Sequence, residues 1–186
     1  MNGPRIALSG SAGTGKTTLG QLLSERLERP FVEEGIRRRI ADGLVPAALS
    51  VTEYEDLIEE LWAEQSNQEQ ALTGGFVADR SACDYAAFWI HYGGLHDRER
   101  TESVLARWFE RTRDYDAVVL LPWGALELED DGVRSTNRWL QFRFQALVEG
   151  LHARFTPETA LLRLPPELTT LEERAEWVTA RVGART

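Results

Sequence analysis

Apolar residues along the chain follow two alternating patterns. Short aliphatic runs recur at Ile6-Ala7-Leu8, Phe31-Val32, Phe76-Val77-Ala78, Asp116 to Pro122 and Ala160 to Leu164. Each has the length and composition of a strand buried on both faces. Between these runs the apolar positions fall at helical spacing: Leu19, Leu22, Leu23 and Leu27; then Tyr54, Leu57, Ile58, Leu61 and Trp62, entered through Thr52-Glu53-Tyr54-Glu55 in the form of a capping box and continued by polar Glu64 to Gln70. Ala82 to Tyr92 and the Val104, Leu105, Trp108, Phe109 set predict two more helices. Leu140, Phe144, Leu147, Val148, Leu151 and Phe155 predict an apolar core stripe stopped by Pro157, and Leu171, Ala175, Val178 and Val182 a last helix capped at Thr170 to Glu173. Five strands alternating with helices predict one α/β domain over 1–186, with a parallel sheet between two helical layers.

The turn after the first strand is Gly10-Ser11-Ala12-Gly13-Thr14-Gly15-Lys16-Thr17, which fits G-x-x-x-x-G-K-[ST] at every fixed position and lies between a strand and a helix. Its glycines free the backbone to converge successive N–H groups on a phosphate at a helix N-terminus. Lys16 is placed to reach the β- and γ-phosphates of a nucleotide, and the Thr17 hydroxyl, with Thr18 beside it, to serve the nucleotide and its Mg²⁺. Lys16 is also the sole lysine of the chain, all other basic side chains being arginine or histidine. A compact ammonium fits within a loop of backbone amides where a planar guanidinium does not.

Other candidates gather at predicted strand ends. Glu33, Glu34 and Arg37 follow the second strand, and Glu34 and Arg37, three apart, are expected on one helical face. Asp79 ends the third strand as a candidate Mg²⁺ ligand, with Arg80 next to it as a phosphate contact. Tyr85 and Phe88, early in the following helix, are candidate walls for a planar base. Arg134 and Arg138 are one turn apart in a segment at about 124–138 that reads as a lid over the donor. No N-K-x-D follows the fourth strand, and a chain with one lysine has none to offer, so ATP is the expected donor.

With 186 residues the chain has the size of one domain, and its net charge of −9 argues against a surface that lies along nucleic acid. No apolar run is long enough to span a bilayer, so no membrane partner is expected and the reading is cytoplasmic. The oligomeric state stays open, a homodimer included. The lone cysteine, Cys83, reads as a small buried residue, and neither His91 nor His96 has a ligand-spaced partner.

The phosphate loop, Glu34-Gly35-Ile36-Arg37 in place of E-x-x-R, Asp79-Arg80-Ser81 in place of D/E-R-S, and Asp131-Gly132-Val133-Arg134 at the lid together resemble the P-loop nucleoside and nucleotide kinases. Among these the chain is most similar to the AAA-type ATP-binding domain typified by ribosylnicotinamide kinase. That resemblance covers almost the whole chain and implies a five-stranded parallel sheet in the order 2-3-1-4-5. It also implies an ATP- and Mg²⁺-dependent kinase acting on a nucleoside or nucleotide, with Glu34 taking the acceptor proton and Arg80 contacting that acid or the phosphates. Two glutamates stand where one is expected, which leaves Glu33 as an alternative base. A carboxylate suits a hydroxyl acceptor and cations suit a phosphate, and the sequence has both. The alternatives are a nucleotide-binding regulatory ATPase that acts on a protein partner, and a kinase of a non-nucleoside metabolite or of nucleic-acid ends.

Overall fold

A computed structural model describes residues 3–93, 95–126 and 137–183. The strands are β1 (Arg5–Ser9), β2 (Phe31–Val32), β3 (Phe76–Asp79), β4 (Ala117–Leu120) and β5 (Leu161–Arg163). All neighbouring strands run parallel, in the order β2-β3-β1-β4-β5. The helices are α1 (Lys16–Leu27), α2 (Ile36–Ala41), α3 (Val51–Ala71), α4 (Ala82–Tyr92), α5 (Arg98–Arg111), α6 (Arg138–Phe155) and α7 (Leu171–Gly183).

The period-2 alternation of strand side chains divides the core between the two faces of the sheet. Ile6, Leu8, Val77 and Val119 pack with Leu19 and Leu23 of α1 and with Ala175, Val178 and Val182 of α7. Ala7, Ala78 and Val118 face the other way, against α3 and α4. Because β1 is paired on both sides, Ile6 opposite Val77 and Ala117, its carboxyl end is fixed laterally. The loops after β1, β2, β3 and β4 therefore open at one edge of the sheet, where open α/β folds bind ligands. Among the described residues no helix is long and apolar enough to cross a membrane.

Several local expectations shift. The box that opens α3 is Ser50 with Glu53, not Thr52 with Glu55: Ser50 Oγ accepts from Glu53 N–H, and the Glu53 carboxylate accepts from Ser50 N–H at 2.8 Å. The competing T-x-x-E lies inside the helix, with Thr52 its second residue, so Thr52 is not the flanking residue that a capping box requires. Glu34 precedes α2 instead of sharing a helical face with Arg37. The inward face of α6 is Gln141, Phe144, Gln145, Val148 and His152, while Leu140 and Phe155 are exposed.

Candidate active site

The loop from Gly10 to Gly15 doubles back between β1 and α1. Gly10, Gly13 and Gly15 have φ of 136°, 76° and 85°, open to glycine at little cost. At Gly10 a Cβ atom would also sit 3.1 Å from the Leu121 carbonyl oxygen. Side chains from three helices and from the turn between β3 and α4 hold the loop. Asp84 Oδ1 accepts the Gly10 N–H at 3.1 Å, Gln145 Oε1 accepts the Ser11 N–H at 2.8 Å, and Arg80 Nη1 and Arg174 Nη1 donate to the Gly10 and Thr14 carbonyls, both at 3.0 Å. Lys16 Nζ donates to the Ser11 carbonyl at 2.7 Å, and its burial, with Arg80 nearby, lowers its pKa to about 8.

Thr17 Oγ1 donates to Asp79 Oδ2 at 2.5 Å. Asp79 Oδ1 is buried and has no hydrogen-bond partner among the described residues, and burial raises the pKa of the carboxyl group, opposed by Lys16. A hydroxyl and an under-satisfied carboxylate at the start of α1 are hard oxygen donors of the kind Mg²⁺ takes, so the residues fit that ion. Among the described residues no cluster of three or more His, Cys, Asp or Glu side chains competes for a metal.

Arg80 has a φ of 108°, unusual for a residue with a side chain. Its guanidinium is almost fully buried and donates from Nε to Glu34 Oε1 at 2.7 Å and from Nη1 to Asp84 Oδ1 at 3.3 Å. It also lies 4.8 Å from the centroid of Phe88. Burial disfavours the charged form of Asp84, but Arg80, His152, Lys16 and a hydrogen bond from Ser9 together outweigh it and hold that carboxyl below the usual range. Beneath the loop His152 sits between Ser9 Oγ at 2.7 Å and Thr156 Oγ1 at 2.7 Å, and burial lowers its pKa to about 4.

Three cavities meet here. One of about 220 Å³ is lined by Gly13, Gly15, Lys16, Thr17, Thr18, Glu34, Arg37 and Arg80. A second, of about 230 Å³, has Glu34, Arg37 and Arg80 at one end and aromatic walls from Tyr54, Tyr85, Phe88, Tyr92 and Phe144. A third, of about 210 Å³, lies across Ala12, Gly13 and Thr14 from Trp123, Arg138 and Gln141.

Residues 5–163 match the family described as AAA domain. The chain belongs to that family. No curated protein matches this AAA domain. Among solved structures it superposes on the NadR protein in complex with NR with a TM-score of 0.78, at 23% identity over 99% of this chain. A second NadR structure, with NAD and AMP-PNP, gives 0.72 at 22% identity over 97% of this chain. The AAA domain spans about half the length of these chains, 52% and 50%. It matches the deoxyadenosine kinase of M. mycoides with a TM-score of 0.69, at 13% identity over 97% of this chain and 99% of that one. The likenesses establish the fold, a P-loop kinase fold close to NadR, with the five-stranded parallel order expected for it.

Of the residues singled out in the AAA domain sequence, the phosphate loop, Thr18, Glu34, Arg37, Asp79 and Arg80 converge at the carboxyl edge of the sheet, and Tyr85 and Phe88 line the aromatic cavity. Glu33 is exposed and lines none of the three cavities; it borders a neighbouring groove with Glu34, Arg38 and Glu64. Arg138 stands beside the loop with its guanidinium 5.2 Å from the Trp123 ring centroid and 5.4 Å from that of Trp139. Arg134 and most of the expected lid lie outside the described residues. Asp84, Gln145, His152 and Arg174 were not foreseen. Asp84 had a signal, because Ser81-x-x-Asp84 is a capping box; the other three sit inside amphipathic helices and carry no local mark.

Proposed function

We propose that this domain is an ATP- and Mg²⁺-dependent kinase that transfers the γ-phosphoryl group of ATP to a nucleoside or nucleotide. The observation that carries the reading is that the phosphate-side cavity and the aromatic cavity share Glu34, Arg37 and Arg80. A group seated between the aromatic walls thus presents its reactive end to the same side chains as the end of a triphosphate. The NadR structures with NR and with NAD and AMP-PNP, and the deoxyadenosine kinase, support this choice of ligands.

In this reading the loop amides and Lys16 hold the triphosphate, and Thr17 and Asp79 hold Mg²⁺. When bound, the ion offsets charge on the β- and γ-phosphate oxygens. Glu34 orients the acceptor hydroxyl and takes its proton as the new P–O bond forms, and Arg80 keeps Glu34 facing that position through Nε. The aromatic walls exclude water and bind a planar base, while Arg138 neutralises charge on the donor from the far side of the loop.

A hydroxyl acceptor suits this cavity better than a phosphate. The Arg80 guanidinium is engaged by Glu34, Asp84 and the Gly10 carbonyl. That leaves Arg37 as the one arginine of the aromatic cavity with no ion pair among the described residues. A panel of nucleosides, nucleotides and other small alcohols, assayed for ADP release with Mg²⁺, tests the proposal. The expected result is acceptor-dependent turnover well above hydrolysis; ATP binding with no acceptor response would replace this reading by a regulatory ATPase.

A further inference from the structure

We propose that Gln65, on α3, is a positioning residue that fixes the backbone of Arg80 and, through it, the Arg80–Glu34 pair. The inference rests on the kinase reading only for its kinetic test. Gln65 is 3% exposed although it lies in the polar half of α3, and its amide is used from both ends. Nε2 donates to the Arg80 carbonyl at 2.9 Å and to Glu69 Oε1 at 2.8 Å, and Oε1 accepts from the Tyr85 hydroxyl at 2.7 Å. The Arg80 carbonyl is acceptor only, so the amide nitrogen faces it and the amide orientation is determined.

The bond to Arg80 falls where the backbone needs support. With φ at 108°, the residue occupies a region that is costly for a side-chain-bearing residue and persists only when surrounding contacts over-determine it. The Arg80 N–H is bonded to the Leu8 carbonyl at 3.0 Å, which ties its amino side to β1. Gln65 ties its carbonyl side to α3. Between these two anchors the side chain leaves toward Glu34, Asp84 and the Gly10 carbonyl. Without the second anchor the peptide can rotate toward an ordinary φ, and the guanidinium would swing away from Glu34. The same amide fixes the hydroxyl of Tyr85, a wall of the aromatic cavity, so one side chain orients both the acid pair and the acceptor wall.

The test is the exchange Gln65→Glu with Glu69→Gln. It keeps composition and volume, leaves an acceptor for Tyr85 and an amide–carboxylate pair between positions 65 and 69, and replaces the donor to the Arg80 carbonyl by a carboxylate oxygen that repels it; rates are measured at alkaline pH, where that buried carboxyl is ionised and has no proton to donate. With the acceptor identified by the panel, the expected outcome is a fall in kcat of about tenfold or more, the scale of one buried hydrogen bond lost, with KM for ATP within about twofold of wild type. Unchanged kcat in the folded double variant would overturn the proposal. If wild type turns over no acceptor, the kinase reading fails but this inference is still decided by a crystal structure of the double variant. Arg80 in an ordinary φ region with its contact to Glu34 lost supports it; an unaltered Arg80 overturns it. Should the exchange not fold, Gln65→Met removes the same donor and is read by the same two measurements.

Discussion

At the scale of single residues, Glu34 and Glu33 separate by environment. They are adjacent in sequence and both border one outer groove, but the first is buried against Arg80 and also lines both shared cavities, whereas the second is exposed and lines neither. Replacing Glu34 by Gln keeps the shape and removes the proposed proton acceptor, so kcat with the true acceptor should fall by about 10²- to 10⁴-fold, the usual contribution of a general base. Glu33→Gln should stay within about twofold of wild type, as surface substitutions away from a site generally do. Initial rates of both variants at saturating ATP make the comparison; equal losses would show that the two acids act together. The residues legible from sequence are those whose chemistry is tied to local context: a glycine-rich turn after a strand, and acids at strand ends. Arg174 could not be read that way, since its donation to the Thr14 carbonyl joins positions far apart in the chain.

At the scale of elements, helix and strand positions follow from periodicity, because burial of one face dictates spacing, whereas the order of the strands in the sheet was implied by the resemblance to the P-loop kinases and not by the pattern. Periodicity is blind to a polar residue that is buried because it has partners. It placed Leu140 and Phe155 in the core of α6 and missed Gln141, Gln145 and His152; it likewise read Glu64 to Gln70 as a polar continuation of α3, although Gln65, Ser66 and Glu69 are buried. Glu69 illustrates the energetic consequence. Its carboxyl group accepts from Gln65 and Tyr115, yet burial outweighs these hydrogen bonds and raises its pKa from 4.5 to about 7. Between those values the unfolded chain has released this proton and the folded chain retains it, so this group lowers stability as pH rises through the window. Glu69→Gln keeps a donor and an acceptor at the position without an ionisable group. The variant should match wild type near pH 4.5 and exceed it at pH 8 by on the order of 3 kcal/mol, measured by urea denaturation at the two pH values. An equal difference at both would assign the effect to packing.

At the scale of the whole molecule, the sheet sets the distances that matter. Parallel pairing of β1 between β3 and β4 brings the phosphate loop, Asp79 and the loop after β4 to one edge, and the short β2 delivers Glu34 beside them. The charge balance of this assembly then discriminates between acceptors. A net charge of −9 surrounds a site whose positive groups are largely engaged: Arg80 by two carboxylates, and Lys16 by the Ser11 carbonyl and the expected triphosphate. A second phosphate in the aromatic cavity would enter next to Glu34 with Arg37 as its nearest unpaired arginine, and desolvating a dianion there costs more than one exposed guanidinium returns. A neutral nucleoside meets no such cost, and its hydroxyl gains the Glu34 carboxylate. The expected outcome is a kcat/KM at least about tenfold higher for a nucleoside than for its own 5′-monophosphate, a difference of about 1.4 kcal/mol in transition-state binding. Arg37→Ala should widen that ratio, because it withdraws an arginine that lines the cavity without an ion pair among the described residues and leaves the nucleoside's contacts with the aromatic walls in place. A monophosphate preferred by the wild-type protein, and abolished by the same substitution, would instead identify Arg37 as the acceptor-phosphate ligand and Glu34 as the partner that holds Arg80 in place.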